Sequence, residues 1–213
     1  MINNYICNCK KKNILDESYT YWEDREVTTD ELEIIKFLEN NNDFRFKNVL
    51  HIGIGNSYLA KKFSDTNNII GITISQKEIE KAKIMDLNNY QFFLIDKYST
   101  NFKDFLNKNK FDFIVDTNLK SYSCCQDSFE FMINNILKSI SINGMLITSI
   151  NGMKWYKDLK PKLSFSFKKF FFLKLKEIDG NKNNILIPDE LERFAQKYNL
   201  KMSFDNKLCY LKK

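Results

Sequence analysis

The run Val49-Leu50-His51-Ile52-Gly53-Ile54-Gly55-Asn56-Ser57 decides how this chain is read. A short stretch suited to a buried strand passes directly into a turn with two glycines, and residues 58–63 then continue as a helix. Glycine has no side chain to hold a ligand away, so such a turn lets backbone approach whatever binds beyond the carboxyl end of the strand. Gly-x-Gly also occurs in turns that bind nothing, so its meaning rests on what surrounds it.

Outward from this run, short apolar segments recur at 48–52, 68–74, 90–95, 111–115 and 145–150, each reading as a fully buried strand. Amphipathic stretches such as 76–87 and 128–140 lie between them. Strands alternating with helices predict an α/β domain: a doubly wound, mostly parallel sheet in a three-layer α/β/α sandwich. Ahead of it, Thr28, Thr29, Asp30 and Glu31 supply an N-cap and a Thr-x-x-Glu capping box for a helix running to about Asn40. At the far end, 188–198 reads as a helix with Pro188 in its first turn. Two short strands, 201–204 and 208–211, then join through Asp205, Asn206 and Lys207 as an antiparallel hairpin at the sheet edge. The expected organisation is one domain over 1–213, with an N-terminal helical cap at 1–43, a core at 44–150, an insertion at 151–187 and a terminal helix and hairpin at 188–213.

Composition narrows the function. With 213 residues and a 43% hydrophobic fraction the chain closes a core without staples. No run approaches the ~20 apolar residues of a membrane span, and the polar start at 1–12 is unlike a secretory leader, so a cytoplasmic protein with no membrane span is expected. Five cysteines, at 7, 9, 124, 125 and 209, lack CxxC spacing and read as free thiols. A single histidine, His51, excludes multi-histidine metal sites, and no metal is expected. A net charge of +6 permits an anionic partner without demanding one. A dinucleotide fingerprint keeps the sixth position of the glycine run small and places an acid about 20 residues on. Tyr58 and Thr73 stand there, which disfavours NAD.

Over 46–150 the sequence resembles the class I S-adenosylmethionine-dependent methyltransferases, whose Rossmann-like fold ends in an antiparallel strand. Gly53 and Gly55 match two glycines of the family's Gly-x-Gly-x-Gly, Ser57 stands for the third, and His51 stands where the family has an acid. Ile70-Gly71-Ile72-Thr73-Ile74-Ser75 is similar to Gly-x-Asp-x-Ser with Thr73 for the acid, a form familiar from the cyclopropane fatty-acid synthase branch. Asp96 follows the third strand where the family commonly holds adenine, and Asp112 to Asp116 and the Asn143-Gly144 turn before the fifth strand complete the series. The resemblance implies S-adenosylmethionine as cofactor, with His51, Gly53, Gly55, Ser57, Thr73, Ser75 and Asp96 as cofactor-binding residues.

Several residues carry a second reading. Glu78 is placed to accept from ribose hydroxyls, but Ser75-Gln76-Lys77-Glu78 is also a capping box, and the cap is favoured. Asp96 either holds the adenine or caps the next turn. His51 either donates a hydrogen bond to cofactor or turn backbone, or acts as a base. Asp116, at the head of Asp116-Thr117-Asn118-Leu119-Lys120-Ser121-Tyr122, is the catalytic candidate, as base or as the group orienting the acceptor, since in-line methyl transfer needs alignment above all. No Asn/Asp-Pro-Pro-Tyr/Phe clamp is present, so amino groups of flipped bases are not the expected target. Lys154, Trp155, Tyr156, Lys157, Lys160, Lys162 and the phenylalanines from 165 to 172 form the insertion, read as an acceptor wall or as core with a solvated lysine face. The expectation is a methyltransferase acting on a small-molecule or glycan-type acceptor by direct displacement, homo-oligomerisation left open. An RNA methyltransferase and a catalytically inactive methyltransferase-like scaffold are the alternatives, with nucleic acid disfavoured by the mild charge.

Overall fold

The structure is a computed structural model that describes residues 27–154 and 185–213. A seven-stranded sheet runs in the order β3-β2-β1-β4-β5-β7-β6, with β1 Asn48–Ile52, β2 Asn68–Thr73, β3 Tyr90–Leu94, β4 Phe111–Asp116, β5 Ile140–Ser149, β6 Lys201–Phe204 and β7 Leu208–Lys212. The first five strands are parallel, and β7 returns antiparallel between β5 and β6. Strand order reverses between β1 and β4, which is where an open α/β sheet leaves a crevice at its carboxyl edge.

Alternation along the strands builds two cores. Leu50, Ile52, Ile72, Ile114 and Leu146 face α4 Thr100–Lys108, α5 Gln126–Ser139 and α7 Pro188–Lys197, whose Phe102, Phe129, Ile133 and Leu191 are fully buried. Val49, Ile69, Phe113, Val115 and Ile147 face α1 Thr29–Glu39 and α2 Tyr58–Phe63. The remaining helices among the described residues are α3 Gln76–Ile84 and the single turn α6 Ile150–Met153. Helix α1 starts as its capping box dictates, with Thr28 Oγ1 accepting from Glu31 N–H at 3.2 Å and the Glu31 carboxylate accepting from Thr28 N–H at 2.9 Å.

Three expectations need correction. β3 is an edge of the sheet formed by the described residues, not a fully buried strand, and Gln91, Phe93 and Leu94 are exposed. Asn143-Gly144 is not a turn ahead of the fifth strand, because β5 already begins at Ile140. The two residues lie in a bulge where the β4 register shifts between Phe111 and Phe113, and Asn143 takes φ 64°. The helix expected over 76–87 closes at Ile84. The lysine- and aromatic-rich insertion lies, from 155 to 184, outside the described residues.

One buried ion pair ties the terminal helix to the sheet. Lys120 Nζ, after β4, lies 2.7 Å from Glu190 Oε2 and 3.0 Å from Gln126 Oε1, over the Phe129 ring at 4.8 Å. Both partners are almost wholly buried, so losing either strands a charge without water. Lys120→Met or Glu190→Leu should each cost about 3–5 kcal/mol. The double variant should recover most of that, as read from urea midpoints. Additive losses would show that the pair is not coupled.

Candidate functional site

A cleft of about 240 Å³ opens at the carboxyl ends of β1 to β4, with the start of α1 as its rim. Its floor is the turn after β1. Gly53 and Gly55 hold φ of +79° and +52°, and Gly53 N–H donates to the Ile72 carbonyl at 2.8 Å. A Cβ built on Gly53 would meet no atom within 4 Å, so neighbouring packing does not require a glycine here and the cleft lies open beside it. Gly71 differs. A Cβ there would come within 2.5 Å of Ile54 Cγ2 and 2.9 Å of the Tyr90 hydroxyl, so its smallness lets the turn sit down on β2.

Six of the eight site residues expected from sequence line the cleft: Gly53, Gly55, Thr73, Ser75, Asp96 and Asp116. Ser57 and His51 do not border it. Ser57 is buried at φ 57°, with its hydroxyl 2.9 Å from that of Tyr90, whose pKa burial pushes up to about 12. It fastens the turn to β3. His51 is next to Ile52, and strand alternation sends their side chains to opposite faces of the sheet. Ile52 borders the cleft, while His51 borders a small void with Glu31, Ile34, Tyr58 and Thr117. Its ring is 2% exposed, and Nδ1 has no hydrogen-bond partner. Burial pushes the imidazole below its ordinary 6.5, against the pull of the Glu31 and Asp116 carboxylates. It is neutral at physiological pH.

Carboxylates dominate the wall. The Glu78 carboxylate does not close the expected capping box with the Ser75 N–H. Thr73 Oγ1 donates to Glu78 Oε2 at 2.5 Å, Ser75 N–H donates to Thr73 Oγ1 at 3.0 Å, and Ser75 Oγ accepts from Glu78 N–H. Glu78 thereby stands at the cleft beside the strand end that lacks an acid. Asp96 takes the capping geometry, its Oδ1 accepting from Tyr98 N–H at 2.9 Å, and it still borders the cleft. Asp116 is fully engaged. Oδ2 lies 2.8 Å from Lys97 Nζ, and Oδ1 accepts from Asn118 N–H at 3.1 Å.

Lys97, Glu78, Asp30 and Glu31 are the cleft residues that sequence reasoning missed or took as mere caps. Nothing local marks Lys97, because its partners are 19 to 24 residues away. Glu78 had a signal in the threonine at a strand end where an acid was expected.

No protein-family model matches the chain. Over 59 residues it is 42% identical to the UPF0146 protein MJ0688 of Methanocaldococcus jannaschii, a stretch covering 27% of this chain and 41% of that protein. Solved structures align over far more. The N-methyltransferase NodS of Bradyrhizobium japonicum, in complex with S-adenosylhomocysteine, superposes at a TM-score of 0.58 and 12% identity, over 92% of each chain. Magnesium protoporphyrin IX methyltransferase of Synechocystis, with S-adenosylmethionine bound, gives 0.58 at 11% identity over 91% of this chain and 88% of its own. A TehB-like S-adenosylmethionine-dependent methyltransferase of Corynebacterium glutamicum gives 0.55 at 14%, over 83% and 86%. The chain therefore has the Rossmann-like fold of class I methyltransferases.

His51 predicts a pH dependence. Its folded pKa lies below the unfolded 6.5, so below that pH the unfolded chain binds more protons and stability falls as pH drops. The slope reaches at most about 1.4 kcal/mol per pH unit for one group. His51→Leu should flatten the stability profile between pH 7 and 5 in urea titrations. An unchanged slope would mean that the imidazole is not buried neutral.

Proposed function

We propose that the chain is an S-adenosylmethionine-dependent methyltransferase acting directly, without a metal, on a small-molecule acceptor. One observation carries this reading: the open space over Gly53, in a cleft at the sheet's switch point with acceptor carboxylates on its far wall. Glu78 would accept from the ribose hydroxyls and Asp96 from the adenine amino group, with the backbone of Gly53 and Gly55 beneath the chain that joins nucleoside to amino acid. The bound cofactor would supply an electrophilic methyl group on a sulfonium.

The chain's own residues then align and exclude. Asp116 has both carboxylate oxygens engaged, one by the Lys97 ammonium and the other by the Asn118 N–H. Its role in this reading is to hold the loop at 117–122 against the acceptor, with proximity supplying most of the rate. The cleft walls carry the side chains of Asp30, Glu31, Glu78, Asp96 and Asp116 against Lys97, an acidic balance that opposes a phosphate backbone and speaks against RNA. The second reading is a cofactor-binding protein without catalysis, favoured by the same locked Asp116 and by His51 facing away from the cleft.

S-adenosylhomocysteine at ~100 times its dissociation constant should stabilise the protein by ~2.7 kcal/mol. Glu78→Gln should weaken binding by about 10- to 100-fold, the worth of a hydrogen bond to a charged group. Gly53→Ala, which costs about 1–2 kcal/mol of backbone strain at φ +79° but has room for its Cβ, should weaken binding in calorimetry while circular dichroism stays native. Absence of any ligand-induced shift in the wild type would sink the reading. Binding without label transfer to any acceptor would favour the non-catalytic one.

A further inference from the structure

Two adjacent cysteines, Cys124 and Cys125, stand where the loop after β4 passes into helix α5. Neither is in a disulfide, both are half-buried, and neither borders the cleft. Their sulfurs lie 3.7 Å apart. Cys209 is the contrast: it is 1% exposed, and burial pushes its thiol up to about 12, which leaves it inert.

Neighbouring side chains hold the pair in place. Ser123 Oγ and Ser128 Oγ both donate to the Cys125 carbonyl, at 2.8 and 2.9 Å, and Cys124 Sγ lies 3.3 Å from Ser128 Oγ. Both serines are buried. Cys125 is the N-cap of α5, yet its side chain makes no capping hydrogen bond, so helix capping does not account for a cysteine there.

The spacing decides what the pair can do. Two sulfurs on one shared atom, each at about 2.3 Å with near-tetrahedral angles, stand about 3.8 Å apart. The observed 3.7 Å meets that without moving the backbone. A disulfide fits less well, because it would have to close the gap to about 2 Å. A trans peptide also holds the Cα atoms of neighbouring residues about 3.8 Å apart, short of the roughly 4.4 to 6.8 Å that disulfides span. Structural zinc asks for four ligands, and among the described residues no group of three or more His, Cys, Asp or Glu side chains stands together. Two sulfurs complete a thiophilic centre that brings its third bond with it, as trivalent arsenic does in an organic arsine oxide. The resulting adduct is uncharged, so a half-buried site takes it without stranding a charge.

We propose that Cys124 and Cys125 form a bidentate site for trivalent arsenicals outside the cleft. In the reaction with an arsine oxide, two arsenic to sulfur bonds replace the bonds between arsenic and oxygen, and the oxygen leaves as water with both thiol protons. Arsenic stays trivalent and no electrons are exchanged.

Phenylarsine oxide is the probe, with intact mass and the count of remaining thiols as readouts. The reduced full-length chain carries Cys7→Ser and Cys9→Ser, which removes the other closely spaced pair in the sequence. One adduct per chain should form, survive excess 2-mercaptoethanol and leave with 2,3-dimercaptopropanol. Adding Cys124→Ser or Cys125→Ser should each weaken it by about 100-fold or more, the worth of a second attachment at short range, while circular dichroism stays native. An adduct that persists undiminished in Cys124→Ser, or no adduct at all on the Cys7 and Cys9 variant, would overturn the site. So would oxidised glutathione closing the two cysteines into a disulfide faster than the arsenical enters, which would make them a redox pair. No nucleoside takes part in the measurement, so failure here leaves the methyltransferase reading as it stands.

Discussion

An ammonium group with little access to water stands between the ends of β3 and β4, and the shape of the cleft follows from it. A buried charge is tolerated only when it is paired and its donors are satisfied. Lys97 meets that demand with one carboxylate, two carbonyls and a hydroxyl, all from residues 116–121. The loop after β4 is therefore drawn toward β3, across the carboxyl end of β1, and the distance between the two halves of the cleft is set. Tyr98 adds a second tie, its hydroxyl donating to the Ser121 carbonyl at 2.7 Å.

The same loop is held from behind. Lys120 turns the other way, to Glu190 of α7, and Gly152 of α6 packs so closely that a Cβ there would lie 1.8 Å from the Thr117 carbonyl oxygen. Alternate residues of one short loop thus answer to opposite sides of the molecule. A loop over-determined in this way loses little entropy when a ligand arrives, which suits a wall whose task is alignment.

The acids show how a site can keep its character while residues move. The strand ends that carry acids in the resembled family carry His51 and Thr73 here. Beside Thr73 the carboxylate of Glu78 leans in from α3, and above His51 that of Glu31 comes down from α1. His51 borders the small void beneath Glu31 and not the cleft.

Much of this protein was legible as sequence. Apolar runs of strand length, amphipathic segments between them, the capping box at Thr28 to Glu31 and the glycines at 53 and 55 dictate the α/β sandwich and its crevice, because each is a local signal of backbone preference or burial. Tertiary structure alone decided which polar side chains meet. Lys97 and Asp116, Lys120 and Glu190, and Ser57 and Tyr90 are 19, 70 and 33 residues apart. Glu78 reads as an ordinary cap until the chain is folded. The edge position of β3 and the bulge in β5 belong to the same class, being set by which strands find neighbours. Hydrophobic period is written residue by residue, whereas a buried charge takes whichever partners the closed fold brings within 3 Å. The chemistry of the site depends on those partners.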